Sequence, residues 1–85
     1  MAKTSYRESV SSQVVDLLRQ ERERQKVSMT RLAEMSGLSQ GMISLVEHDQ
    51  RNPSLDTLLR ICHALKIELS SVLHQAERIA KTHSK

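Results

Sequence analysis

Apolar residues recur with helical spacing in five segments of this chain, and short polar stretches separate the segments. Serine and glycine stand where several segments begin and end, which is typical of helix caps. The sequence therefore predicts an all-α fold of five helices. These run from near Ser9 to near Lys26, over residues 29–36, over about 40–47, onward from the cap Ser54, and from about 69 to about 81.

The second and third segments form a characteristic pair. Leu32 and Ala33 supply the apolar side of one short helix, and Ile43 and Val46 supply that of the next. Gly37 lies between them, where a residue in the left-handed conformation is needed to end the first helix. Two short helices joined by a three-residue turn that contains glycine form a helix-turn-helix.

This pair and the residues around it resemble the Xre/Cro-type helix-turn-helix family of phage and bacterial repressors. The resemblance extends from about Leu17 to Leu73. It rests on Leu32-Ala33, Gly37-Leu38-Ser39, Ile43-Ser44, Glu47, Arg51-Asn52-Pro53-Ser54, Leu58-Leu59 and Ala64-Leu65. It implies a compact, five-helix, lambda-repressor-like DNA-binding domain with the helix-turn-helix in its second and third helices. The implied partner is double-stranded DNA.

Length and charge fit one small domain. We expect residues 1–8 to be a flexible segment, residues 9–75 to form the domain, and residues 76–85 to extend the last helix into a basic tail. The 85-residue chain has a net charge of +3, but residues 27–66 hold four basic and four acidic side chains. Phosphate contacts are therefore expected from neutral donors and helix N-termini more than from a basic patch.

Several other classes of protein lack support in the sequence. There is no apolar run of about 18 residues to span a membrane, and no apolar stretch near the N-terminus to act as a secretory signal. Cys62 is the single cysteine, which excludes an internal disulfide framework and fits a reducing cytoplasm. It lies on an expected core stripe with Leu55, Leu58, Leu59 and Leu65. There is no Cys-x-x-Cys or His-x₃-His spacing for a metal, and no catalytic constellation or phosphate loop for an enzyme or a cofactor.

The resemblance and the side-chain chemistry together indicate which residues contact DNA. The candidates are Ser28, Arg31, Ser39, Gln40, Gly41, Met42, Ser44, Leu45, Arg51 and Asn52. The amide of Gln40 can bond adenine N6 and N7 at once, whereas the hydroxyl of Ser44 discriminates poorly among bases. Met42 and Leu45 either meet thymine methyl groups or pack against neighbouring helices. Because residues 40–47 contain no arginine or lysine, guanine readout is disfavoured and A·T-containing half-sites are expected.

Some positions depart from the family pattern. Left-handed backbone is expected at three residues that stand where the family often has glycine, namely Lys26, Asp49 and Lys66. Met29 replaces a common phosphate-binding glutamine, which leaves the helix N-terminus and Arg31 for that contact. Gly41 replaces a common polar residue and could let the backbone approach DNA closely.

The resemblance also implies a structural ion pair between Arg22 and Glu47. The matching pair in the family is largely buried, and it ties the first helix to the end of the recognition helix. Its expected role is to fix geometry more than to add net stability.

The last helix has apolar residues beyond those that a five-helix domain needs. Val72, Ala76, Ile79 and Ala80 share one face, which predicts a dimer contact with a second copy of the chain. Two alternatives are a frayed tail and an N-terminal segment of the same chain that folds over this face.

The sequence as a whole predicts a sequence-specific, double-stranded-DNA-binding transcriptional regulator, a repressor more readily than an activator. It would act as a homodimer on a two-fold symmetric operator with half-sites about 34 Å apart. The alternative is an antitoxin-type or other protein-interaction module in which DNA binding is secondary, so a protein partner stays open. The expected location is the cytoplasm, for a bacterial or phage-encoded protein that associates with the nucleoid when it is bound to DNA. No cofactor and no small-molecule effector are expected.

Overall fold

A computed structural model describes residues 5–49 and 52–83 of the protein, and every regular element in this part is an α-helix. The helices are α1 (Tyr6–Arg24), α2 (Met29–Ser36), α3 (Gln40–Glu47), α4 (Leu55–Ala64) and α5 (Leu69–His83). The predicted all-α, five-helix fold is confirmed, and α2 and α3 have the predicted bounds. In the described part no helix has both the length and the apolar character that crossing a membrane requires.

Four of the helices begin with a serine cap. A serine side chain precedes each of them and accepts a hydrogen bond from a backbone N–H three residues later; the pairs are Ser5–Glu8, Ser28–Arg31, Ser39–Met42 and Ser54–Thr57. Each bond satisfies a donor that has no partner within its helix. The caps therefore fix where these helices start.

The start of α1 differs from the prediction. Ser5 and Glu8 form a reciprocal capping box, because the Glu8 side chain also accepts from the Ser5 backbone N–H. The helix consequently begins at Tyr6 and not near Ser9, so residues 6–8 are helical and do not belong to a separate flexible segment. Residues 1–4 of that segment lie outside the described residues.

Left-handed backbone occurs at the predicted turns. Gly37 has φ 75° and follows α2, while Lys26, Asp49 and Lys66 have φ 60°, 55° and 59° after α1, α3 and α4. The Gly37 N–H donates to the Ala33 carbonyl at 3.0 Å, which closes the end of α2. The same turn geometry is thus formed with lysine and aspartate as with glycine, and the three side chains add local strain.

The core lies between α1 and α5 on one side and α2, α3 and α4 on the other. Leu32, Ile43, Val46, Cys62 and Leu65 are its largest fully buried side chains. Burial of the Cys62 thiol was predicted, and this burial raises the pKa of the thiol.

The buried side of α4 is rotated slightly from the predicted stripe, although Leu58, Cys62 and Leu65 of that stripe are half-buried or buried. Leu55 and Leu59 are 63% and 49% exposed, whereas Thr57, Ile61 and Cys62 are buried. Thr57 can be buried because its hydroxyl accepts a hydrogen bond from Ser54 Oγ at 3.0 Å. The apolar spacing of α4 fits two overlapping stripes, and packing against α2 selects the one through Thr57 and Ile61.

The predicted dimer face of α5 is mostly covered by the chain itself. Val72, Ala76 and Ala80 are 7%, 0% and 1% exposed, and Ile79 is half-buried. Since α1 begins early and packs mainly against α5, its apolar side occupies this face. Because these three side chains are already buried within one chain, they leave little apolar surface for the predicted dimer contact, and the packing of α1 corresponds to the alternative of an N-terminal segment that folds over the face.

Candidate nucleic-acid interface

Two short helices cross with their apolar sides buried together. Leu32 of α2 is 1% exposed and Ile43 and Val46 of α3 are 0% and 1% exposed. Ala33 of α2 is small, which lets the axis of α3 approach closely. Because two buried side chains, Ile43 and Val46, fix the inner side of α3, the helix has one orientation about its own axis and its opposite side must face away from the core.

The outer side of α3 carries most of the residues predicted to read bases. Gln40 and Gly41 are exposed, Leu45 is 37% exposed, and Ser44 is partly exposed. They lie in two adjacent rows, since residues four apart are neighbours on a helix. Met42 is half-buried and packs against the core cluster, so part of its side chain contacts the core and is not available to DNA.

The first turn of α3 is held by its cap. Ser39 Oγ accepts from the Met42 N–H at 3.0 Å, and the Ser39 carbonyl accepts from the Ile43 N–H at 3.1 Å. Gln40 and Gly41 therefore follow the cap in regular helical geometry, with their outward directions defined.

The N-terminus of α2 has a similar design. Ser28 Oγ accepts from the Arg31 N–H at 3.0 Å, and the exposed Arg31 side chain pairs with Glu34 at 3.3 Å. Met29 is half-buried against the core, and its thioether has no hydrogen-bond donor for a phosphate. Arg31 thus lies in the first turn of α2, where its guanidinium forms an exposed ion pair with Glu34.

The ion pair between Arg22 and Glu47 is present. Arg22 Nε and Nη2 donate to the two carboxylate oxygens of Glu47 at 2.6 and 2.9 Å, and Nη1 donates to the Val27 carbonyl at 2.7 Å. The two side chains are 10% and 6% exposed. The hydrogen bonds that Arg22 donates to Glu47 raise the pKa of the guanidinium, and this bidentate pair joins α1 to the last turn of α3.

The segment after α3 is held by contacts that sequence reasoning missed. Ser12 Oγ on α1 donates to Asp49 Oδ2 at 2.6 Å, and His48 Nδ1 lies 2.8 Å from the Ser44 carbonyl oxygen. Asn52 is exposed, and Arg51 lies outside the described residues. Ser12 and Asp49 are 37 residues apart, so no local pattern could have signalled their contact.

This geometry defines a class of protein. Two crossed helices, a left-handed glycine between them, and an exposed side on the second helix form a helix-turn-helix domain of the kind that enters the DNA major groove. The sequence makes the assignment specific, because residues 18–72 match the family model described as Helix-turn-helix. The chain belongs to this family, in its Xre/Cro-type branch, whose members are DNA-binding transcriptional regulators and not enzymes.

Individual relatives carry names of the same kind. The chain is 46% identical over 50 residues to an uncharacterized HTH-type transcriptional regulator of Mycobacterium tuberculosis, a match that covers 59% of this chain and 36% of the relative. It is 36% identical over 52 residues to the immunity repressor protein of Bacillus phage phi105, which covers 61% of this chain and 36% of that protein. The chain therefore spans about a third of the length of the curated relatives that it matches.

Solved structures share the fold. The clp gene regulator ClgR of Corynebacterium glutamicum superimposes with a TM-score of 0.78 at 28% identity, over 88% of this chain and 80% of that one. A variant of the restriction-modification controller protein C.Esp1396I gives a TM-score of 0.78 at 21% identity, over 88% of this chain and 97% of that one. The second likeness concerns the fold alone.

Proposed function

We propose that the protein is a sequence-specific transcriptional regulator that inserts α3 into the major groove of double-stranded DNA. The observation that supports this most strongly is the fixed orientation of α3. Ile43 and Val46 are completely buried, and the opposite side presents Gln40, Gly41 and Leu45 to the exterior. An α-helix fits the major groove of B-DNA, where each base pair shows a distinct pattern.

The side chains of α3 favour A·T base pairs. Gln40 reads adenine through N6 and N7, and Ser44 donates to or accepts from a neighbouring base. The helix has no arginine or lysine for guanine. Ser28, Arg31, Ser39 and Asn52, together with Arg51, would bond the flanking phosphates and set the register of α3 in the groove.

Regulation by repression agrees with the names of the relatives. One of them is the immunity repressor protein of Bacillus phage phi105. A domain bound over a promoter excludes polymerase without any further activity. We therefore propose repression in preference to activation.

The test is selection of binding sites from a randomised duplex library, followed by titration of the best site by fluorescence anisotropy. We expect a two-fold symmetric motif bound at least ~10³ times more tightly than random DNA. Gln40→Ala should weaken the selected site by roughly 5-fold to 150-fold for each half-site contacted. Gln75→Ala, at an exposed position of α5, is the matched control and should bind normally.

A library without any enriched motif would overturn this proposal and turn attention to a protein partner. Equal loss of binding in Gln40→Ala and Gln75→Ala would show that the assignment of α3 as the reading helix is wrong.

We also propose that the regulator is a homodimer, through a surface other than the one predicted from sequence. Leu55, Leu59 and Leu73 are exposed by 63%, 49% and 37%, and we call them the leucine patch. Leu59 and Leu69 line one surface cavity, and Leu73 follows Leu69 by one turn of α5. Apolar surface of this kind marks interaction sites, and an apolar patch is self-complementary across a two-fold axis.

Sedimentation of two charge-introducing variants tests the dimer. Leu59→Glu should be a monomer at concentrations where the natural chain is a dimer, because it would bury carboxylates against leucines. Leu45→Glu starts from a similarly exposed leucine, on α3, and should remain a dimer while losing DNA binding. The dimer would be contradicted if the free natural chain sedimented as a monomer and its complex with operator DNA contained a single chain.

A further inference from the structure

The second residue of α3 has no side chain although the fold has room for one. Beyond its chain neighbours and the backbone of α3, a Cβ built on Gly41 would meet one described atom within 4 Å, Ser39 Oγ at 3.9 Å. This is ordinary van der Waals contact, and Gly41 does not adopt a left-handed conformation. Because glycine is a poor helix former, the described chain gains nothing from glycine at this position.

Leu45 lies one turn further along α3 on the same side. Leucine side chains in helices lean toward the N-terminus and over the preceding turn, so that of Leu45 leans toward the gap at Gly41. Leu45 remains 37% exposed. The two residues therefore bound a small open space with an apolar wall, which we call the Gly41–Leu45 recess. Any side chain at position 41 would cover this wall.

We propose that the Gly41–Leu45 recess receives the C5-methyl group of a thymine in each half-site, an inference that rests on the proposed function. Thymine is the one standard base that presents an apolar group in the major groove. An amino group of adenine or cytosine placed against Leu45 would lose its water without gaining a hydrogen-bond partner, which is unfavourable. The recess thus selects thymine by shape and polarity, in addition to the base that Gln40 reads by hydrogen bonding.

Deoxyuridine gives a direct test, because it lacks only the methyl group and keeps the pairing and the O4 acceptor of thymine. Each thymine of the selected operator is replaced in turn, in both half-sites together. For the natural chain we expect one position where the replacement weakens binding about fourfold for each half-site. This ratio corresponds to about 0.8 kcal/mol for one buried group of methyl size.

Two variants show whether the recess is responsible. In Leu45→Ala the apolar wall is gone, and in Gly41→Ala the space is filled, so each should bind the thymine and deoxyuridine operators with less than a twofold difference. Gly41→Ala should bind the thymine operator more weakly than the natural chain while its Tm rises by about 2–6 °C. Weaker DNA binding together with a higher Tm would distinguish loss of recognition from loss of folding. Gln75→Ala should keep the full fourfold ratio.

The outcomes distinguish the recess from the function on which it rests. A well-defined operator at which no deoxyuridine weakens binding would overturn the recess and leave the proposed function intact. A fourfold ratio that persists in both Leu45→Ala and Gly41→Ala would also overturn it. A library that yields no operator would overturn the proposed function and the recess together.

Discussion

Arg22 and Glu47 determine the position of α3 without belonging to its outer side. Their bidentate contact is almost completely buried, and Arg22 also satisfies the Val27 carbonyl at the turn into α2. One guanidinium therefore joins the first helix, the start of the helix-turn-helix and the end of α3. Buried pairs of this kind contribute little net stability, but loss of one partner leaves an unpaired buried charge.

A double-mutant cycle tests this balance. Arg22→Met and Glu47→Leu should each lower the free energy of unfolding by about 3–5 kcal/mol, whereas the double variant should recover most of that loss because neither charge remains. Urea unfolding measures all four proteins. A double variant as unstable as either single variant would show that the pair supplies net stability, and additive losses would show that the two residues are not coupled.

Residue-scale features were predicted where their signals are local. The caps Ser28 and Ser39 follow from positions adjacent in sequence, and the left-handed turns at Lys26, Asp49 and Lys66 were expected because the resembling family often has glycine there. The capping box that begins α1 was missed, although a serine followed three residues later by glutamate is itself a local signal. The contact of Ser12 with Asp49 could not be predicted, because it depends on how α1 passes the end of α3.

At the scale of elements, the pairing of α1 with α5 is the feature that sequence periodicity did not determine. The apolar face of α5 was recognised, but periodicity alone cannot say whether a second chain or the same chain covers it. In the structure α1 packs against α5, and its Val14 and Val15 lie in the core cluster that contains Ala76. The rotation of α4 was missed for the same reason: two stripes were compatible with one helix, and tertiary packing chose between them.

Two neighbouring substitutions on α5 test the pairing. Ala76 is 0% exposed, so Ala76→Leu should overpack the contact with α1 and lower the free energy of unfolding by about 1–3 kcal/mol. Gln75→Leu adds a leucine at an exposed position and should change it by less than about 0.5 kcal/mol. If Ala76→Leu altered sedimentation but left the urea midpoint unchanged, α5 would be a contact between chains after all.

At the scale of the whole molecule, a polar network connects the two turns at one end of the fold. Gln25 Nε2 donates to the Leu65 carbonyl at 2.8 Å and to Glu21 Oε2 at 2.7 Å, and Arg24 pairs with the same carboxylate. The hydrogen bonds from Arg24 and then Gln25 lower the pKa of Glu21 from its ordinary 4.5 to about 2. The turns after α1 and α4 are therefore connected through the Gln25 amide, which the ionised carboxylate of Glu21 holds in place.

Stability should depend on pH through this group. Because the folded pKa of Glu21 is below its ordinary value, the unfolded chain binds more protons, and the stabilisation is complete above about pH 4.5 and lost as pH falls toward 2. Since Arg24 is largely exposed, the contribution should be only about 0.5–1 kcal/mol. Urea midpoints measured from pH 6 to pH 2.5 should fall less steeply for Glu21→Gln than for the natural chain, and parallel curves would contradict this assignment.

The pairing of the first helix with the last also sets an order of events during synthesis. On the ribosome, α2 and α3 emerge well before α5, but the core behind them closes only when α5 can pack against α1. Contacts between α1 and α5, which three other helices separate along the chain, form late because the intervening chain must first be ordered. A nascent or prematurely terminated chain that lacks α5 would therefore contain the sequence of the reading helix without holding it rigid. Competence to bind DNA is in this way coupled to completion of α5.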